Sequence, residues 1–329
     1  MTATASLWIT ALRQASLLHT VLPPLPPGCL RIAATASGIS RGTEGLVFNG
    51  LIPDSERRRM RAPFQEGDFP WPVKYGYCAV GRVIAGDPAR LGERVFALHP
   101  HQSVFDVPAD AAFAIGDDVP DDRATLAANL ETAINALWDA PPRVGDRVVV
   151  AGAGTVGLLV AWLVARVPGV HAIVIEPDPG RAATAREFGL TVAAPDRAPG
   201  DADLVFHASG RPEGLVRALE LAGDEATVVE LSWYGARPVP LPLGGAFHAR
   251  RLRLVSSQVG QLPTERRPRW SHRRRLGLAL DLLRDPVLDR LIGERVALAD
   301  AVASLPRIFD TPTARPWTVI VYPHAESEP

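Results

Sequence analysis

The stretch Arg147-Val-Val-Val-Ala-Gly-Ala-Gly-Thr-Val-Gly157 constrains this chain more than any other. Val148 to Val150 is a β-branched run of the kind that forms a buried parallel strand. Gly152, Gly154 and Gly157 follow at G-x-G-x-x-G spacing, with Thr155 and Val156 between the last two, and Leu158 to Val167 continues as an apolar helix. Gly152 permits the tight turn, Gly154 allows a pyrophosphate to approach the backbone, and Gly157 allows helix and strand to pack closely. The helix N-terminus adds unpaired N–H groups and the positive end of the helix dipole. A second strand, His171 to Ile175, ends in Glu176, about 20 residues past the last glycine, as a dinucleotide-binding unit requires. A carboxylate there accepts hydrogen bonds from the ribose hydroxyls of NAD and repels the 2′-phosphate of NADP. Arg181 is close enough in sequence to soften that preference, so NADP stays open. The alternative is a tight strand–helix turn with no ligand.

Strands and helices alternate from Arg147 onward. Strands are expected at 147–151, 171–176, 203–207, 226–231 and 251–256, which is the rhythm of a doubly wound parallel sheet in an α/β domain. The chain before it reads differently. Residues 6–12 form a short strand, Pro23 to Pro27 a stiff link, and Leu30 to Ala36 and Arg94 to Leu98 further strands, all punctuated by Gly and Pro. This predicts a β-rich first domain. Thr125 to Trp138 and Arg274 to Leu283 carry helical spacing, and Pro316 to Tyr322 reads as a closing strand that returns to the first domain. The expected division is 1–118 with 265–329, and 119–264.

Composition removes several classes. The chain has 329 residues and a formal net charge of −1, so nothing draws it globally to nucleic acid or membrane. Arg266 to Arg275 is a dense basic run, read as a solvated loop leading into a helix, with an anionic partner as the alternative. Cys29 and Cys78 are far apart, which excludes a disulfide scaffold and a cysteine-rich zinc lobe. No signal peptide or membrane span is legible, so a cytoplasmic protein is expected. Of 35 Lys plus Arg, only Lys74 is lysine.

Four blocks resemble the medium-chain dehydrogenase/reductase superfamily: Gly38-Ile-Ser-Arg-Gly-Thr-Glu44, Gly76-Tyr-Cys-Ala-Val-Gly81, Glu131-Thr-Ala-Ile-Asn-Ala-Leu137 and Ala151-Gly-Ala-Gly-Thr-Val-Gly157. The first is most similar to the bacteriochlorophyllide a dehydrogenase-like branch. The resemblance implies a GroES-like catalytic domain beside the Rossmann domain, a homodimer paired through the strand near 251–257, and hydride exchange with NAD or NADP. It also implies that Ala208-Ser209-Gly210 passes beneath the coenzyme and that Leu231 to Tyr234, including Trp233, flanks the nicotinamide. Trp233 and Tyr234 as plain core residues is the alternative.

The departures from the zinc alcohol dehydrogenases concern the metal. Ser40 or Arg41 stands at the place of their first-block cysteine, Tyr77 and Cys78 replace the His and Glu of the second block, and Ala127 to Glu131 has no cysteine. Zinc needs three protein ligands in a catalytic site. Cys78, Glu44 and His99 are an improvised set that could supply them, but no zinc is expected. Side chains must then donate hydrogen bonds to an alkoxide-like oxygen. Tyr77 carries a suitable O–H, and Lys74, three residues away, is a cation that would lower its pKa if the strand bends. Thr43 matches the hydroxyl that relays a proton in zinc relatives, and Ser40 is a second hydroxyl. Glu44 braces the site, and His99 lines the substrate pocket and titrates near neutrality. His101 shares that direction only if the strand continues through Pro100. Each has a plain alternative: a turn hydroxyl, a surface lysine, a buried tyrosine or a structural histidine.

The expected function is a zinc-independent, NAD-preferring oxidoreductase that interconverts a secondary alcohol and a ketone on a bulky substrate, with the loop Asn49 to Pro72 covering the substrate side. The rivals are a zinc-free enoyl or quinone reductase and a member that binds coenzyme without hydride transfer.

Overall fold

The computed structural model describes residues 2–323. The chain opens with two long antiparallel strands, β1 (Thr2–Ala11) and β2 (Gln14–Leu22), turned at Arg13 in a left-handed conformation. β3 (Cys29–Ile39) leads directly into helix α1 (Arg41–Phe48). Short strands follow: β4 (Glu66–Gly67), β5 (Val73–Lys74), β6 (Ala79–Ala85), β7 (Arg94–Ala97), β8 (Val104–Pro108) and β9 (Phe113–Ala114). Helices α2 (Asp121–Ala124) and α3 (Ala127–Asp139) come next. Then β10 (Arg147–Ala151), α4 (Thr155–Val164), β11 (His171–Ile175), α5 (Pro179–Glu187), β12 (Thr191–Ala193), β13 (Ala202–His207), α6 (Pro212–Leu221) and β14 (Ala222–Glu230) alternate. The chain continues with α7 (Ala246–Ala249), β15 (Arg253–Ser256), α8 (His272–Leu282), β16 (Ile292–Ala297), α9 (Leu298–Asp310) and β17 (Trp317–Val321).

The chain divides into two compact units. The first is Met1–Ala128, Leu280–Pro312 and Trp317–Pro329; the second is Asn129–Ala279 with Thr313–Pro316. The divisions lie beyond the expected 118 and 264 because they fall inside continuous helices, α3 and α8, which carry no Gly or Pro punctuation at those points.

The first unit holds a four-stranded sheet, β2-β1-β5-β4, and a seven-stranded sheet, β16-β17-β3-β6-β7-β9, with β8 also on β3. β17 pairs antiparallel with β3, Thr318 opposite Ile39, so the expected return of the chain's end to this unit holds. The seven-stranded sheet buries Leu30, Ile32, Val80, Phe96 and Phe105, and the four-stranded sheet buries Leu7, Ile9 and Val73. Trp317 is fully buried, donates from Nε1 to Thr125 Oγ1 at 2.8 Å, and lies against Gly38, where a Cβ would overlap its ring.

The second unit is a six-stranded, all-parallel sheet in the order β12-β11-β10-β13-β14-β15. The five expected strands are all present; β12, three residues long, is the addition. With β10 as the first strand, this is the 3-2-1-4-5-6 order of doubly wound dinucleotide folds, with its switch point between β10 and β13. Val148, Val149, Val150, Val205 and Phe206 are buried because helices cover both faces.

Candidate functional site

In the second unit the glycine-rich turn has the geometry that its spacing predicts. Gly152 adopts φ +110°, which is left-handed, and a Cβ there would lie 2.8 Å from Ser209 Cα. A Cβ on Gly157 would overlap the Gly152 carbonyl oxygen and lie 3.5 Å from Ala208 Cβ. At Gly154, the N-cap of α4, a Cβ meets nothing within 4 Å. The turn is thus closed by packing on one side and open at the residue before the helix. Behind it stand the first-turn N–H groups of α4, which include those of Thr155, Val156 and Gly157 and lack intrahelical acceptors. A dinucleotide pyrophosphate fits this cradle.

Glu176 is buried, and its two oxygens hold the loop: Oε2 accepts from Ala153 N–H at 2.7 Å, Oε1 from Asp178 N–H at 2.9 Å. Each oxygen keeps acceptor capacity for a ribose hydroxyl. Thr155 directs its hydroxyl at the Pro316 carbonyl, 3.5 Å away, and Arg181 donates from Nε to the Thr313 carbonyl at 3.2 Å. Trp233 is partly buried in the segment after β14.

Sequence reasoning missed a cluster at the same end of the sheet. Parallel pairing sets His207, the last residue of β13, beside Glu230, the last of β14. His207 is fully buried; its Nδ1 lies 2.9 Å from both Glu230 carboxylate oxygens and its Nε2 2.6 Å from Ser209 Oγ. Ser232 N–H and the Tyr234 hydroxyl also donate to Glu230, at 2.6 and 3.1 Å. Burial and the Glu230 charge raise the Tyr234 pKa, so the phenol remains a donor. A strand ending in a lone His, with Glu 23 residues later, carries no local signal of this contact.

In the first unit, the turn after β3 and the start of α1 gather Ser40, Thr43 and Glu44. The side chains of Ser40 and Thr43 lie beside Tyr77, where each offsets part of the burial that raises the phenol's pKa. Glu44 Oε1 accepts from Ser40 N–H at 2.7 Å, and its Oε2 lies 2.9 Å from His101 Nε2. His101 Nδ1 meets Ser37 Oγ at 2.7 Å, and Ser37 meets the Tyr322 hydroxyl at 2.8 Å. A buried hydrogen-bonded line therefore runs from Tyr322 through Ser37, His101 and Glu44 to the Ser40 backbone. Gly76, at φ +126°, lets His101 in, since a Cβ there would lie 2.9 Å from its ring.

Three expectations need correction here. Lys74 does not act on Tyr77. It sits on β5 opposite Trp8 of β1, and its Nζ pairs with Glu66 and donates to Gln102 Oε1 at 2.5 Å. The Tyr77 pKa is accordingly raised rather than lowered, first by burial and then by Cys78 and Glu44. The third correction concerns the histidines. The chain turns after β7, where His99 N–H bonds to the Ala97 carbonyl, so His101, not His99, joins Glu44. His99 is stacked between Phe105, at 4.0 Å and 11°, and Phe64, at 5.6 Å, and its Nδ1 bonds to the Pro100 carbonyl at 2.9 Å.

Burial pushes the His99 pKa down to about 3; the charges of Lys74 and His101 push the same way, against the Pro100 hydrogen bond. An unfolded chain binds that proton near pH 6.5, the folded one only near 3. Stability from this group is therefore present above pH 6.5 and lost as pH falls toward 3, by up to about 1.4 kcal/mol per pH unit. Melting temperature against pH is expected to fall across this window, and His99→Gln to flatten the slope; an equal slope in both proteins would assign the acid lability elsewhere.

Burial and Glu44 raise the Cys78 thiol well above its usual pKa. Among the described residues no three His, Cys, Asp or Glu side chains are placed to share an ion. Nor is any helix there long and apolar enough to cross a membrane.

Known proteins share the architecture. No protein-family model matches the chain. It is 31% identical over 118 residues to an L-threonine 3-dehydrogenase of Anaeromyxobacter sp. (strain K), covering 36% of this chain and 34% of that one. The chain thus spans about a third of the length of the threonine dehydrogenases it matches. It is 28% identical over 251 residues to the 2-desacetyl-2-hydroxyethyl bacteriochlorophyllide A dehydrogenase of Cereibacter sphaeroides, covering 70% of this chain and 74% of that one. Among solved structures, an alcohol dehydrogenase from E. coli CFT073 complexed with NADH superimposes over 98% of this chain and all of that one, with a TM-score of 0.77 at 18% identity. The fold of this chain is therefore that of the two-domain alcohol dehydrogenases.

Proposed function

We propose that this chain is a nicotinamide-dependent oxidoreductase that interconverts a secondary alcohol and a ketone on a bulky small molecule, without a metal ion. The observation that carries the reading is the placing of Tyr77 beside Ser40 and Thr43, at the position to which the resemblance assigns the histidine ligand of zinc relatives. The named relatives, all dehydrogenases, support the reaction class. When bound, NAD or NADP supplies hydride acceptance and donation. Tyr77, kept protonated by its surroundings, donates its O–H to the substrate oxygen and stabilises its developing negative charge. Ser40 and Thr43 fix the direction of that O–H. Glu44 and His101 provide a buried acceptor pair through which a proton is held, with Ser37 and Tyr322 behind them.

Glu176 supports NAD over NADP. NADH is expected to bind at least about tenfold tighter than NADPH, the scale of one desolvated like-charge contact. Glu176→Ala should erase that difference, as fluorescence titration would read; a wild-type preference for NADPH would instead favour the enoyl-reductase reading. Turnover of secondary alcohols with NAD by chelator-treated protein, alongside elemental analysis, tests the metal-free reaction. Loss of turnover on chelation, restored by zinc, would overturn it. A homodimer through β15 is part of the proposal, supported by that strand's place at the sheet edge with Leu254 exposed. Light scattering of the purified protein reads it directly.

A further inference from the structure

The His207–Glu230 pair occupies a definite place in the coenzyme cleft. In a doubly wound sheet the first three strands and their glycine-rich turn hold the adenosine half of a dinucleotide, and strands four to six take the other half across the switch point. Here those are β13, β14 and β15, so the carboxyl ends of β13 and β14 face the nicotinamide half. Ser209, two residues past His207, lies against Gly152 of the phosphate turn. Gly214 of α6 has no room for a side chain, because a Cβ would overlap Ser209 Oγ and lie 2.8 Å from His207 Nε2.

The hydrogen bonds assign the charge. Ser209 Oγ accepts from Arg211 N–H at 3.2 Å and lies 2.6 Å from His207 Nε2 and 3.5 Å from the Arg211 carbonyl, to which its hydroxyl donates. His207 Nδ1–H then donates to Glu230, which also receives Ser232 N–H and the Tyr234 hydroxyl. With His207 as the neutral imidazole, the form on which the inference rests, the cluster carries one negative charge. Glu213, also an anion, acts on Tyr234 of this cluster. The nicotinamide ring is cationic when oxidised and neutral when reduced.

We propose that Glu230, oriented by His207, discriminates between the two oxidation states of the coenzyme, and favours the oxidised, cationic ring. The inference rests on the coenzyme reading above. A unit charge a few ångströms away in a partly desolvated cleft changes the relative affinity by about tenfold or more.

The test is calorimetric, without turnover. Dissociation constants for NAD+ and NADH are measured on wild type, Glu230→Gln and Glu230→Asp. The glutamine protein is expected to lose about tenfold in affinity for NAD+ relative to NADH, and the aspartate protein, which keeps the charge, to stay within about twofold of wild type. An unchanged ratio in the glutamine protein, or equal shifts in both variants, overturns the inference. If the glutamine protein does not fold, Tyr234→Phe serves in its place. It removes one donor from the carboxylate and should move the ratio toward NAD+; no movement, or movement toward NADH, counts against the inference. Failure of wild type to bind either form would overturn the coenzyme reading itself, an outcome distinct from an unchanged ratio in a protein that binds both.

Discussion

Gly157→Ala is expected to reduce NADH binding below detection and to destabilise the protein by about 1–3 kcal/mol, the usual range for forcing a methyl group into a packed site. The obstacle is backbone rather than side chain. The added Cβ overlaps the Gly152 carbonyl oxygen, and Gly152 is itself fixed by its left-handed φ and by its approach to Ser209. No rotamer change relieves the overlap, so α4 must move away from the turn that presents its N–H groups. Gly154→Ala is the informative contrast. A Cβ there meets nothing in the free protein, so the melting temperature should hold while NADH binding weakens, because that open space is what the pyrophosphate would fill. Thermal melts and fluorescence titration separate the two. Tight binding by both variants would mean that the turn does not hold a dinucleotide.

Tyr77→Phe is expected to lower kcat for alcohol oxidation by about 10²–10³, the effect of deleting one oxyanion-type donor. NADH affinity should stay within about twofold, since the residue belongs to the other unit. Burial, Cys78 and Glu44 all raise the Tyr77 pKa, so the phenol does not ionise through the neutral and mildly alkaline range. The wild-type rate profile should therefore show no loss near pH 10 attributable to this residue. A phenylalanine variant with full activity would remove Tyr77 from the reaction and leave Ser40 or Thr43 as the donor.

The dinucleotide fold was legible because its signals are local. Three glycines, a valine run and an acid at the next strand end all lie within 30 residues, and each has one physical job. The first unit was legible as β-rich but not in its pairing. The hairpin partner β2, Gln14–Leu22, is mostly exposed and offers no apolar run to read. Where a sequence block placed candidates together, the structure also gathers them: Ser40, Thr43 and Glu44 at the start of α1, with Tyr77 beside them. Candidates were lost where the backbone turns or a register decides. His101 replaced His99 because the chain bends after Ala97. Lys74 faces Glu66 and Gln102 because β5 pairs with β1, a contact across more than 60 residues of sequence. His207 and Glu230 meet only because two parallel strands end in step.

The strand that closes the first unit comes after every strand of the second unit's sheet in the sequence. β17 supplies the Trp317 ring that fills the space beside Gly38, and Tyr322, just beyond it, ends the hydrogen-bonded line behind Glu44. In order of synthesis the second unit has all but four of its residues by Ala279, when the first still lacks β16 and β17. The usual order, in which the N-terminal domain matures first, is thereby reversed. A chain stalled between Ala279 and Trp317 would therefore hold a finished parallel sheet beside a β-rich unit that still lacks its closing strand.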